Sequence, residues 1–270
     1  MNGSALQEIS IGELRKVPVL LPPLPEQNRI VAVLETWDRA IESMTKKIDI
    51  KKQVKKGLMQ ELLTGKTRLK GFSGKWEKMK IKNIGQVVTG NTPPKKNPDY
   101  YGDEYLWATA FDFNGTYIED TQVKLSGSGA QVARIVPKGS VLVTCIASIG
   151  KNAIAKKEMW FNQQINAIIP NKNFSSEFIY YLVEWSFHKL KEVAGGGALA
   201  MISKGVFETI VLAFPKIDEQ NAIANILTAS DNEINSLEKK LSLLKDQKKY
   251  LLNNLITGEI RTPENLTLYS

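Results

Sequence analysis

Two stretches of the chain place apolar residues at spacings that alternate between four and three. The first runs Ile30, Leu34, Trp37, Ile41, Met44, Ile48, Lys51, Lys55, Leu58, Leu62. The second runs Ile223, Leu227, Ser230, Ile234, Leu237, Leu241, Leu244, Lys248, Leu251, Leu255. This alternation is the heptad of a coiled coil. It predicts two helices of roughly 40 residues, each about 60 Å long at a rise of 1.5 Å per residue. A helix that is apolar along one narrow seam needs a partner, and the other copy is the simplest one. Lys51, Lys55 and Lys248 interrupt the seam. Either their stems pack while the amines reach water, or they fix register or meet acids on a partner protein.

The two stretches belong to a longer repeat. Aligning 3–68 with 196–261 at a constant offset of 193, without a gap, gives 25 identities in 66 positions. Pro22 matches Pro215, Glu26-Gln27-Asn28 matches Glu219-Gln220-Asn221, and Asp38 matches Asp231. Lys55-Lys56 matches Lys248-Lys249, and Thr64-Gly65 with Arg68 matches Thr257-Gly258 with Arg261. Each copy begins with a β-like stretch, 17–21 or 210–214, and passes a proline-marked turn. Its helix opens at Pro25 or Asp218, where proline and acidic residues suit a first turn. It stops at Thr64-Gly65 or Thr257-Gly258, where glycine ends the helix.

The middle segment, 71–215, has no long heptad. Short β-type runs at 85–90, 131–136, 140–144 and 153–155 alternate with Gly, Pro and Asn. One or two helices follow, with Ser175-Ser176-Glu177 capping a stretch from Phe178 to Val193. The pattern predicts an α/β or α+β domain of about 140 residues with its own core.

Composition narrows the chemistry. The chain has 270 residues, a net charge of +8 and one histidine, His188, with a pI near 9.3. The excess of basic residues suits a polyanionic partner. Its densest stretch, 46–75, holds ten basic and two acidic residues. One cysteine, Cys145, permits no internal disulfide, which fits a reducing cytosol. No basic segment leads into an apolar core at the N-terminus, so no signal peptide is expected, and the longest apolar run, 141–149, is too short for a membrane span. One Cys and one His fall short of a zinc site. His188 reads as part of an amphipathic helix rather than a catalytic base. Residues 145–152 resemble the end of a P-loop, but Cys145 stands where the first glycine belongs and Asn152 where the hydroxyl belongs. Asn91-Thr92-Pro93-Pro94 fails as an amino-methyltransferase motif for want of the aromatic. No glycine-rich loop lies between a clear strand and a helix, and Gly195-Gly196-Gly197 reads as a flexible loop. Neither a catalytic constellation nor a cofactor site is indicated in this chain.

The ordered set of motifs resembles the specificity (S) subunit of type I restriction–modification systems, over nearly the whole chain. The resemblance rests on the turn with Glu-Gln, the heptad helix, Leu-Leu-Thr-Gly or Leu-Ile-Thr-Gly, then a globular segment and the same again. Within the globular segment it rests on Trp76 before Ile84-Gly85, on Thr89-Gly90-Asn91-Thr92-Pro93, on 97–102 with Trp107, and on 148–153 and 161–166. The resemblance implies an α+β fold, in which a globular α/β target-recognition domain is flanked by two long helices paired as an antiparallel coiled coil. It implies a non-catalytic subunit that reads half of a bipartite site in double-stranded DNA and docks methyltransferase (M) subunits. Those subunits bring S-adenosylmethionine, and restriction (R) subunits join through the complex in the cytoplasm. On that reading 1–21 is the tail of a missing target-recognition domain, 22–70 the first conserved-region helix and 71–215 the recognition domain. The second helix then covers 216–262, and 263–270 is a C-terminal tail. One recognition domain beside two spacer helices departs from the family pattern. A natural half subunit, a split gene or a trimmed chain would each account for it, and a half subunit predicts a homodimer or pairing with a second half S subunit.

Candidate DNA-binding residues are Thr89, Gly90, Asn91, Thr92, Lys95 and Lys96 in one loop, with Lys151, Asn152, Asn162, Gln163 and Gln164 elsewhere. Lysines suit phosphates, and amides suit base edges. For each polar residue an ordinary turn or surface role is the alternative, and Asn162 and Gln163 could cap loops. Tyr100, Tyr101 and Trp107 read as core. Two other functions stay in view. An adenine methyltransferase fused to helices lacks its motifs. A coiled-coil scaffold with an unrelated sensing domain predicts no salt-sensitive DNA binding.

Overall fold

A computed structural model describes residues 9–146, 148–186 and 201–266. The fold is α+β: two long helices and a sheet-rich domain. In chain order the elements are α1 (Ile11–Leu14), α2 (Leu24–Leu62), β1 (Glu77–Lys80), α3 (Ile81–Ile84) and β2 (Gly85–Thr89). Next come β3 (Tyr101–Gly102), β4 (Tyr105–Ala108), β5 (Tyr117–Ile118), β6 (Lys124–Leu125), α4 (Gly127–Val132) and β7 (Ile135–Val136). The chain continues through β8 (Val141–Thr144), β9 (Asn152–Ala155), β10 (Met159–Phe161), β11 (Ile165–Pro170) and α5 (Ser176–Trp185). It closes with α6 (Lys204–Thr209), β12 (Val211–Phe214) and α7 (Ile217–Thr257). The helix from Phe178 falls partly at 187–193, outside the described residues, as do His188 and the glycine triplet.

The chain divides into two compact units, 1–52 with 233–270 and 53–232. The division falls inside both long helices. In the first unit α2 and α7 run antiparallel, as their cross-pairs show: Glu26 with Arg261, Asp38 with Lys248, Lys51 with Glu233 and Lys52 with Glu238. From Glu26 through Asp38 to Lys51 the partners fall from Arg261 through Lys248 to Glu233. Seam residues Ile48, Ile234, Leu237 and Leu255 are buried, while Ile30, Leu34, Trp37, Ile41, Met44, Leu241, Leu244 and Leu251 are half-buried. Each fully buried Leu or Ile contributes about 1.5–3 kcal/mol. Lys51 and Lys248 meet acids on the opposite helix of the same chain, Glu233 and Asp38. The expected β-like stretch at 17–21 forms no strand, and Val19, Leu20 and Leu21 are exposed.

The second unit holds the sheets. One five-stranded sheet has the order β2-β11-β8-β9-β5, another the order β3-β6-β4-β10-β7, and β1 pairs with β12. The first sheet is covered by α5, whose Phe178, Ile179, Tyr181 and Val183 are buried in one cluster with Ile81, Ile84, Val141 and Ile168. Leu62, Ile223 and Leu227 of the long helices join that cluster, and Leu58 packs against it. Here too the helices are antiparallel, since Lys55 pairs with Asp231 and Arg68 with Glu219. The run expected as a strand at 131–136 is helix as far as Val132, with strand only at Ile135–Val136. The Ser126 hydroxyl accepts from Gly129 N (3.2 Å) and caps a short helix there. The runs at 85–90, 140–144 and 153–155 are strands, within a residue or so at their ends. Both helix stops carry glycine at positive φ, Gly65 at 69° and Gly258 at 77°.

Candidate nucleic-acid interface

Strand direction in the second unit gathers four loops on one edge. β2 and β11 are antiparallel with Thr89 opposite Asn166, so the end of β2 meets the start of β11. β8 is antiparallel to β11 with Thr144 opposite Ile165, which brings the hairpin tip after Thr144 to the same place. β4 and β10 are parallel with Ala108 beside Phe161, so the chain leaves both strands at that edge. The loops are therefore 90–97, 109–116, 145–151 and 162–164.

The loops brace one another. Gly90 N donates to Ile165 O (3.1 Å), and Asn91 N to Phe161 O (3.0 Å). A Cβ on Gly90 would lie 2.3 Å from the carbonyl oxygens of Phe161 and Asn162, so only glycine lets these backbones approach. The Asn91 side chain donates to Val132 O (2.8 Å) and accepts from Arg134 N (2.7 Å). The Thr92 hydroxyl donates to the Gln163 side chain, and Trp107 Nε1 donates to Asn91 O (3.3 Å). Thr89, Gly90, Asn91, Thr92 and Gln163 thus form one braced group, with Gln163 exposed, while the Gln164 carbonyl accepts from Cys145 N (2.7 Å).

Other candidates have separate places. Lys95, Lys96 and Lys151 are exposed on these loops. Asn162 is buried and caps its own loop by accepting from Gln164 N (3.0 Å). Asn152 is buried, and its amide donates to Tyr180 O (2.7 Å). Asn162 thus takes the loop-capping role that was its alternative, whereas Asn152 lies in the core, a place that neither reading gave it. Trp107 is buried in a small cluster with Leu125 and Trp160, against which Tyr101 packs, in keeping with its reading as core. Cys145 is buried beside the Asn166 amide, and burial pushes its thiol up to about 11, which leaves it unreactive.

Arg134 was missed by sequence reasoning. It is exposed, and its guanidinium donates to Thr89 O (2.7 Å). It lay within a run read as a strand interior, and only the short helix before it turns it toward the 89–92 loop. With the three lysines it gives the edge four cations.

A polar cluster joins α5 to the long helices in this unit. Asp231 pairs with Lys55 (2.7 Å) and accepts from the Tyr181 hydroxyl (2.8 Å). Glu184 stands 3.6 Å from Lys55. Burial raises the Glu184 carboxyl above the usual carboxylate range, Lys55 pulling against it, and burial likewise raises the Tyr181 hydroxyl. Gln220 donates to Asn173 O and Pro215 O and accepts from Ser175 N (3.0 Å), which ties the start of α7 to the cap of α5. Glu219, in turn, takes a two-pronged pair from Arg68 (2.7 and 2.6 Å).

The family described as type I restriction modification DNA specificity domain matches residues 1–52 and 73–245. The specificity subunit of the type I restriction enzyme HindI from Haemophilus influenzae is 33% identical over 68% of this chain and 42% of its own length. The MjaIX specificity subunit of Methanocaldococcus jannaschii is 32% identical over 63% of this chain and 41% of its own length. The crystal structure of a type I S subunit from M. genitalium shares the fold at a TM-score of 0.64 and 16% identity, across 94% of this chain and 67% of that one. Over nearly its whole length this chain matches 63% of another curated relative from M. jannaschii, so it spans less than two thirds of that protein. With the family matched over more than half its residues, the chain belongs to the type I restriction–modification DNA specificity family.

Proposed function

We propose that this chain is a non-catalytic DNA-specificity subunit of a type I restriction–modification complex. The braced loop edge reads one half of a bipartite duplex site. Lys95, Lys96, Lys151 and Arg134 meet phosphates, while Gln163 and the 89–92 loop face base edges. The paired helices dock M subunits, which bring S-adenosylmethionine and the methyl-transfer chemistry, and R subunits join through that complex in the cytosol. The observation that carries this reading is the convergence of four loops and four cations on one edge of a domain matched by the DNA specificity family. A second copy of this chain supplies the other half-site reader. The first unit repeats the helix pairing of the second, and its Asp38 side chain is 58% exposed, which supports that pairing of copies.

Binding of the complex to duplex DNA across a salt series tests the reading. Phosphate contacts make log affinity fall linearly with log salt. Lys95→Ala with Lys96→Ala should weaken binding on all sequences and lower the slope by about 0.9 for each phosphate left without its lysine. Affinity that ignores salt would favour a scaffold with an unrelated sensing domain.

A further inference from the structure

The loop 109–116 carries a residue that the DNA-reading edge does not yet use. Phe111 is 77% exposed, the most exposed aromatic side chain among the described residues. Its turn is built firmly. Asp112 is buried, and its carboxylate accepts from Thr109 N (2.7 Å), the Thr109 hydroxyl (2.8 Å) and Gln122 N (2.9 Å). A carboxylate taken out of water needs all of these partners, so the turn has little freedom to rearrange. Asn114 Nδ2 donates to Phe111 O (3.1 Å), and Phe113 is anchored in the core beside Ile118 and Phe161. The turn therefore holds one aromatic ring inward and one outward. Its place is fixed as well: Ala108 O accepts from Asn162 N (3.0 Å), so the turn leaves the sheet beside the 162–164 loop.

We propose that Phe111 is a wedge that presses against a base step of the bound duplex and partly unstacks it. The inference rests on the DNA-reading role proposed above and adds a specificity element to it. Polar neighbours on the edge form hydrogen bonds to phosphates and base edges, which a phenyl ring cannot do. Apolar side chains inserted between base steps kink the duplex, and the cost depends on the step. Flexible pyrimidine–purine steps yield most easily. Phe111 thus selects for deformability at one position of the half-site, without a hydrogen bond to any base.

The test uses the intact complex with M subunits on duplexes of the methylated motif. 2-Aminopurine is placed at successive positions, leaving out the base that becomes methylated. Wild type and Phe111→Leu should raise fluorescence at one step. Phe111→Ala should lose that signal and bind roughly 5- to 150-fold more weakly, with the same salt slope and the same melting temperature. Wild-type affinity in Phe111→Ala, with salt-dependent binding intact, overturns the wedge and leaves the DNA reading standing. Loss of M-subunit assembly in Phe111→Ala reassigns the ring to a protein contact and also overturns it. A wild-type complex with no salt-dependent DNA binding takes down both.

Discussion

Glu26 and Glu219 occupy matching places in the repeat, and each holds a two-pronged pair with the arginine that follows the opposite helix. Asp38 with Lys248 and Asp231 with Lys55 match in the same way. Gln27 and Gln220 both donate to the proline five residues back. The two units therefore share one set of helix pairings, written twice. They differ in what covers those pairings. The Asp231 side chain is 18% exposed, and that of Asp38 is 58% exposed. Asp231 also receives the Tyr181 hydroxyl from α5. The stretch 210–214 becomes β12 because β1 pairs with it, whereas its counterpart 17–21 has no partner strand among the described residues. The comparison separates two tasks. Register between the helices comes from the repeat itself, and in the second unit the sheets and α5 add dryness, a strand partner and a hydroxyl.

Mutations at matched positions sharpen this contrast. Leu227 is fully buried in the domain core, and its counterpart Leu34 is half-buried. Leu227→Ala should cost about 2–5 kcal/mol and Leu34→Ala about 1 kcal/mol, read from urea unfolding. Equal costs would mean that the domain adds nothing to the seam. Charge placed at Ile41 and Ile234 should separate the helices of the first unit and abolish M-subunit assembly, and intact assembly would rule out the seam as described.

Next in size are the paired carboxylates. Asp231→Ala removes the nearest acceptor of both Lys55 and the Tyr181 hydroxyl, leaving them Glu184 at 3.6 Å and the Thr228 hydroxyl at 3.2 Å, and should cost about 2 kcal/mol. Asp38→Ala removes an exposed pair and should cost less than about 1 kcal/mol. A double-mutant cycle with Lys55 or Lys248 isolates each coupling.

The smallest effects are pH dependences of opposite sign, one in each unit. Burial raises the Glu184 carboxyl above its unfolded value. A raised carboxyl stabilises the fold below the unfolded value near pH 4, and that contribution is lost as pH rises through the folded value. Glu184→Gln should therefore raise the melting temperature slightly at pH 7–8, with the gain shrinking toward pH 4. Glu26 runs the other way. Hydrogen bonds from Arg261 hold it low, so its contribution is present at neutral pH and lost as pH falls through the depressed value. A gain for Glu184→Gln that is the same at both pH values contradicts the assignment.

The helices were legible because a heptad is a long local signal. Each of its positions, from Ile30 to Leu62 and from Ile223 to Leu255, is buried or half-buried. The identity of the acids that meet Lys51, Lys55 and Lys248 was not legible, since Glu233, Asp231 and Asp38 are brought opposite them only by the antiparallel register. Short strands such as β8 are readable from apolar runs, whereas 131–136 is strand only at Ile135–Val136, because the helix capped by Ser126 runs on through Val132. Within the candidate edge, Thr89 to Thr92 stood out as a motif. Asn152 and Asn162 have the right chemistry but face inward, a property of sheet packing that residue type does not carry. Arg134 and Phe111 belong to no motif, and the short helix before Arg134 and the direction of β4 before Phe111 bring them to the edge.

The most direct measurement is a methylation map of DNA from cells that express this chain with its cognate M subunit. The account predicts a motif made of two specific halves separated by a gap of unspecified bases, palindromic if two copies of this chain pair. An asymmetric gapped motif would keep the reading role and replace the second copy with a different half. No methylated motif, with both subunits well expressed, would contradict the DNA-specificity role itself.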